Sequence, residues 1–222
     1  MIKGGCNGFL IWKGMIMTMY RTLKIRIYPN ATQKRIINTN CNAMRFVRNQ
    51  YIAYINSNNF VRMREFRKVF NKMKYSNDDL SWIVDENVST KAITDALQQE
   101  ERRWLRYFKS IQKVKLGEIS KSNKRPTFIS KKRQNNMSFF IIKDNIRFES
   151  FGRRIISLPI IGKVRITEDK DRLPSKDSIT SGYIIKEGNK CYLSLRYKIK
   201  PLESKKIILE LELILGLSHM LQ

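Results

Sequence analysis

The hydrophobic pattern changes period twice along the chain, and the order of those changes restricts the fold more than any other feature. An alternating run comes first, Tyr-Arg-Thr-Leu-Lys-Ile-Arg-Ile-Tyr from Tyr20 to Tyr28, and Pro29-Asn30 ends it. Alternation at period two is the signature of a strand. Long stretches at helical spacing follow, and from Met137 onward only short alternating runs remain. A lone strand ahead of helices cannot bury a face by itself. It must join the later strands, which leaves the helices as an insertion in a strand-built unit.

The helical part resolves into three predicted helices. The first covers roughly Thr32 to Asn56, capped by Asn30 or Thr32, with Ile37, Cys41, Met44, Tyr51 and Ile55 on one stripe. The second covers about Phe60 to Lys74, with Met63, Phe66, Phe70 and Met73 inside and Arg62, Arg64, Arg67, Lys68 and Lys72 outside. The third starts at Ser89, a good cap, and runs to about Gln112 with a basic flank of Arg102, Arg103, Arg106 and Lys109. Between the last two helices lies a short apolar patch, Leu80 to Val84.

Lys113 to Asn136 then holds eight basic residues against one acid, Glu118, and Gly, Ser, Asn and Pro126 break its periodicity, so it reads as a basic loop. The strands predicted after it are Met137 to Ile142, Asn145 to Glu149, Arg153 to Leu158, Ile160 to Ile166, Ile179 to Lys186 and Lys190 to Ile199. Glu187-Gly188-Asn189 turns the last pair into a hairpin. The expected fold is α+β: a small β-barrel interrupted after its first strand by a three-helix bundle.

Charge points to the partner. Lys and Arg number 44 against 19 Asp and Glu in 222 residues, a formal net charge of +25. Such a surplus destabilises a compact fold unless a polyanion neutralises it, and nucleic acid is the default polyanion. No stretch has the roughly 18 uninterrupted apolar residues of a membrane helix, so no membrane partner is expected. Cys6, Cys41 and Cys191 are far apart and odd in number, and the one histidine, His219, lies four residues from the end. These exclude a disulfide framework, paired zinc spacing and histidine-based catalysis, and they point to a reducing, cytoplasmic and nucleoid-associated setting. No Walker loop or nucleophile elbow occurs, and the carboxylates form only local clusters on turns. Basic residues on a strand, on the first helix and in the loop suit gripping a phosphate backbone. The candidates are Arg21, Lys24 and Arg26 on the first strand, Arg45, Arg48 and Asn49 on the first helix, and Lys131, Lys132 and Arg133 in the loop.

Five segments in order carry a resemblance. They are Lys-Ile-Arg-Ile-Tyr-Pro-Asn-Ala-Thr-Gln (Lys24 to Gln33), Arg-Phe-Val-Arg-Asn (Arg45 to Asn49), the helix Asp95 to Phe108, the basic loop entering a strand (Arg125 to Phe139), and the strand pair Ile156 to Ile166. Together they resemble the TnpB family, RNA-guided DNA endonucleases of insertion sequences often described as putative transposases. The resemblance spans about Met19 to Gln222. It implies a wedge-type β-barrel (residues 19–30 plus 114–200) split by a helical recognition domain (31–113), with guide RNA and double-stranded DNA as partners. Residues 1–18 are then an extension, and 201–222 are the remnant of a RuvC-like domain start.

The family's nuclease domain opens on a strand whose Asp binds the catalytic metal. Here Ile214 stands about where that Asp belongs, and Glu210 and Glu212 do not replace it. The Mg²⁺ and zinc sites of the family are therefore expected to be absent, with no cofactor and no catalytic residue. The expectation is a truncated, nuclease-dead protein that binds guide RNA and DNA and does not cut alone. The rivals are an active endonuclease or transposase whose catalytic part is missing from this sequence, and a generic basic DNA-binding regulator.

Overall fold

The computed structural model describes residues 18–85, 87–131, 136–148, 154–169 and 172–199. The expected extension (apart from residue 18), the RuvC-like remnant, Lys132 and Arg133 lie outside the described residues.

The first strand, β1 (Met19–Tyr28), places Leu23, Ile25 and Ile27 on one face, with Ile25 and Ile27 fully buried. Asn30 then starts α1 (Ala31–Ser57) with a capping box. Its Oδ1 accepts from the Gln33 N–H at 2.9 Å, and the Gln33 Oε1 accepts from the Asn30 N–H at 2.9 Å. Two of the orphan donors of the first turn are thereby satisfied. The Gln33 amide also donates to the Ile161 and Lys163 carbonyls at 3.1 and 2.8 Å, which ties the start of α1 to the later strands.

Helix α2 (Met63–Ser76) begins three residues later than the spacing predicts. Phe60 and Val61 instead pack on the core ahead of it, with the Phe60 ring edge-on to Phe108 at 5.2 Å. The apolar patch after α2 is a 3-10 turn followed by a short helix, α3 (Ser81–Val84). The long α4 (Thr90–Lys115) starts at Ser89, whose hydroxyl accepts from the Ala92 N–H at 3.1 Å. Asn40 in the middle of α1 is fully buried and holds this start from the side. Its Oδ1 accepts from the Ser89 N–H at 2.9 Å, and its amide donates to the Asn87 carbonyl at 2.7 Å. A buried amide is tolerated when every such group is paired.

Six strands follow: β2 (Asn136–Ile141), β3 (Arg147–Phe148), β4 (Ile155–Leu158), β5 (Gly162–Ile166), β6 (Ile179–Glu187) and β7 (Lys190–Ile199). All pairings are antiparallel, in the order β2-β6-β7-β1-β5-β4-β3. The mixed architecture and the use of β1 by the later strands agree with the sequence. The closed barrel does not. Among the described residues the sheet is open, with β2 and β3 at its edges. Strand β3 has only two residues, and β1 meets β5 only at Ile27 and Tyr28 while pairing with β7 from Met19 to Ile27. Closure needs long strands staggered all the way round, and these contacts are too short for it.

The apolar face of the sheet (Ile25, Ile27, Phe139, Ile184, Leu193, Leu195) and the helical residues Ile37, Cys41, Leu97 and Trp104 belong to one continuous buried cluster. Lys186 on β6 donates to the Asn38 side chain of α1 at 2.6 Å, a polar tie between sheet and helix.

Candidate nucleic-acid interface

Three basic surfaces emerge. The first is the face of β1 and β7 turned away from the apolar residues. Tyr20 lies opposite Lys198, Thr22 opposite Arg196, Lys24 opposite Ser194 and Arg26 opposite Tyr192. Opposed residues share a face. Cations and rings interleave on it: Arg196 lies over Tyr20 at 4.4 Å, Lys24 over Tyr192 at 4.2 Å and Arg26 over Tyr28 at 5.2 Å. Lys24 also pairs with Glu187 at 2.6 Å, so its charge is shared. Lys24 and Arg26 therefore sit together as the sequence suggests. Arg21 does not join them: it has the parity of Leu23 and Ile25 and points to the opposite side at the exposed end of the strand.

The second surface is cut between α1 and α4. Glu100 is fully buried, and one carboxylate oxygen accepts from Arg48 at 3.1 Å and from Arg103 at 2.7 Å. Arg48 is thus held by a structural ion pair and stands at the edge of a concavity of about 490 Å³. Gln99, Arg102, Arg103 and Arg106 line it from α4, at the three- and four-residue spacings that share a helix face. Four guanidinium groups against one carboxylate leave a strongly positive wall. The sequence marks these α4 arginines as a basic flank, but only their spacing relative to Glu100 singles them out.

The third surface is the basic loop, which is a docked strap. The Asn123 N–H donates to the Ser110 hydroxyl at 2.9 Å, and Arg125 donates to the Asn56 side chain at 2.8 Å. The Arg125 guanidinium lies 5.5 Å from the centre of the Trp104 ring, and Pro126 is buried. Asn49 then makes a two-bond bridge to Ile129, donating to its carbonyl at 3.1 Å and accepting from its N–H at 2.8 Å. An extended chain rises about 3.3 Å per residue against 1.5 Å along a helix. The strap consequently covers α1 backwards from Asn56 to Asn49 in only four residues. Asn49, chosen from the sequence as a nucleic-acid contact, is a backbone clamp here. Lys131 is exposed beyond it and, with Thr39, Asn42, Arg45, Phe46 and Trp82, borders a concavity of about 370 Å³.

No nucleophile is tuned among these residues. Burial pushes the Cys41 thiol up to about 12 and raises that of Cys191 as well, the reverse of a reactive cysteine. Burial, and then the Asp95 carboxylate bonded to its hydroxyl at 3.1 Å, push the Tyr183 phenol up to about 12. Among the described residues no three His, Cys, Asp or Glu side chains gather as metal ligands, and no helix is long and apolar enough to cross a membrane.

A family model described as a helix-turn-helix domain, HTH_OrfB_IS605, matches residues 17–58. The described part of that match is β1 followed by the single helix α1. No curated protein matches the chain.

Proposed function

We propose that this chain, which carries the N-terminal region of the TnpB/IS605 OrfB family over residues 17–58, is a transposon-associated protein that binds DNA together with a guide RNA. In this reading the open sheet stands where the family's wedge-type barrel would be, and α1 to α4 form the recognition unit inserted in it. The observation that carries the reading is the arginine wall of α1 and α4. Arg48 and Arg103 are pre-oriented by Glu100, and Arg102 and Arg106 flank them. Guanidinium groups held before the ligand arrives lose little freedom on meeting phosphate, and they suit its paired oxygens. The interleaved face of β1 and β7, with Lys24, Arg26 and Arg196, extends the positive surface. Arg45 and Lys131 add to it on the helical side, and Arg21 lies at its margin. The proposed activity is binding, in which base pairing with the guide reads sequence and the protein reads backbone shape.

The test is binding of the full chain to duplex DNA and to structured RNA across a salt series. Each phosphate neutralised contributes about 0.9 to the log–log salt slope on duplex DNA. Arg102→Ala and Arg106→Ala should each lower that slope by about 1 and weaken all sequences alike. Unchanged slopes in both variants would remove the arginine wall from the interface. For the guide, the chain purified from cells expressing its own locus should retain one structured RNA; a random RNA population counts against guidance.

A further inference from the structure

The concavity bordered by α1, α3 and the strap has a composition that a phosphate grip does not need. Phe46 from α1 and Trp82 from α3 meet edge-on, with ring centres 5.7 Å apart and planes at 69°. Trp82 keeps 36% of its surface exposed, although its indole is costly to leave in water. Thr39 and Asn42 line the same concavity from α1, three residues apart and so on one helix face. Arg45 and Lys131 stand on its border.

We propose that this concavity holds one unstacked nucleobase of a single-stranded segment. The base stacks on Trp82, the Thr39 hydroxyl and Asn42 amide meet its polar edge, and Arg45 and Lys131 take the adjoining phosphates. A ring face is offered only by a base that has left its helix, so the ligand is single-stranded RNA or DNA and not an intact duplex. The inference rests on the nucleic-acid reading above and narrows it to a particular ligand state.

The test uses the full chain, a single-stranded 12-nucleotide RNA carrying 2-aminopurine, and a duplex DNA of the same length. Trp82→Ala should weaken single-strand binding by about 5- to 160-fold, the range of one lost base–aromatic stack. Its duplex affinity and salt slope should stay as in the wild type, and quenching of 2-aminopurine should diminish. Trp82→Phe should restore most of the affinity, which guards against a folding defect in the alanine variant. A fully abasic strand should bind the wild-type chain as weakly as the ordinary strand binds Trp82→Ala. Single-strand binding by Trp82→Ala within twofold of wild type, with quenching intact, overturns the proposal and leaves the arginine wall standing. Failure of the wild-type chain to bind either nucleic acid overturns both.

Discussion

Asn49→Ala separates a clamp from a ligand contact. The side chain makes two partly buried hydrogen bonds to the Ile129 backbone, at 3.1 and 2.8 Å. Each is worth about 1 kcal/mol net, so their loss should lower the free energy of lifting the strap by about 2 kcal/mol. That is a roughly 30-fold rise in the open population. The helix itself should not suffer, because Ala is the best helix former and replaces a poor one. The strap carries exposed Lys124 and Lys131 on either side of the clamp, both substrates for trypsin. When reclosing outruns cleavage, the cutting rate follows the open population. Native-state tryptic cleavage at these two lysines should therefore accelerate about 30-fold, and global stability in urea should fall by about 1–2 kcal/mol, because the unfolded chain lacks the same bonds and the better helix former offsets part of the loss. Exchange of the Ile129 amide should accelerate by the same factor. Cleavage within threefold of wild type, or a fall in global stability with no faster exchange at Ile129, would refute the argument.

Three further outcomes follow from other sites. Glu100→Gln should lower stability by about 1–3 kcal/mol in urea unfolding, because it leaves Arg48 and Arg103, only 20% and 34% exposed, without their shared counter-charge. Ile160 has φ of 70° in the turn after Pro159, a conformation that a β-branched residue adopts at a cost. Ile160→Gly should therefore raise the melting temperature, with a gain of about 1 kcal/mol. Cys41 has a folded pKa above its unfolded value, so its contribution is fully present below about pH 9 and is lost as pH rises towards 12. Cys41→Ala should flatten the alkaline fall in stability, and neither buried cysteine should react with a thiol reagent at pH 8 before the chain unfolds.

The elements were legible where period and caps agree. Asn30-Pro29 and Ser89 mark the two long helices to within a residue or so at their starts, and the β7 boundaries are those read from alternation. The start of α2 was missed because Phe60 and Val61 continue its apolar spacing while packing outside the helix. Sheet closure was not legible at all, since register and strand length depend on partners more than 100 residues away in sequence. At the candidate interface, charge was readable and partnership was not. Lys24 and Arg26 stayed on one surface, but Arg48 belongs to Glu100 and Asn49 to Ile129. Both ties cross between segments whose adjacency only folding creates. Arg21 faces the other side from Lys24 and Arg26 for a local reason: a strand parity that counting charges overlooks.

The pairing of β1 has a consequence for how the chain comes into being. Met19 meets Ile199 and Ile27 meets Cys191, so among the described residues the first strand must wait for the last. At about 5–20 residues per second, synthesis keeps it waiting roughly 10–35 s. During that interval α1, α2 and α4 can form from near neighbours, while closing so long a loop is deferred. The nascent strand meanwhile shows bare edges, the template on which chains aggregate. Arg21, Lys24 and Arg26 interrupt its apolar run during the delay, and like charges on a bare strand keep unfinished copies apart.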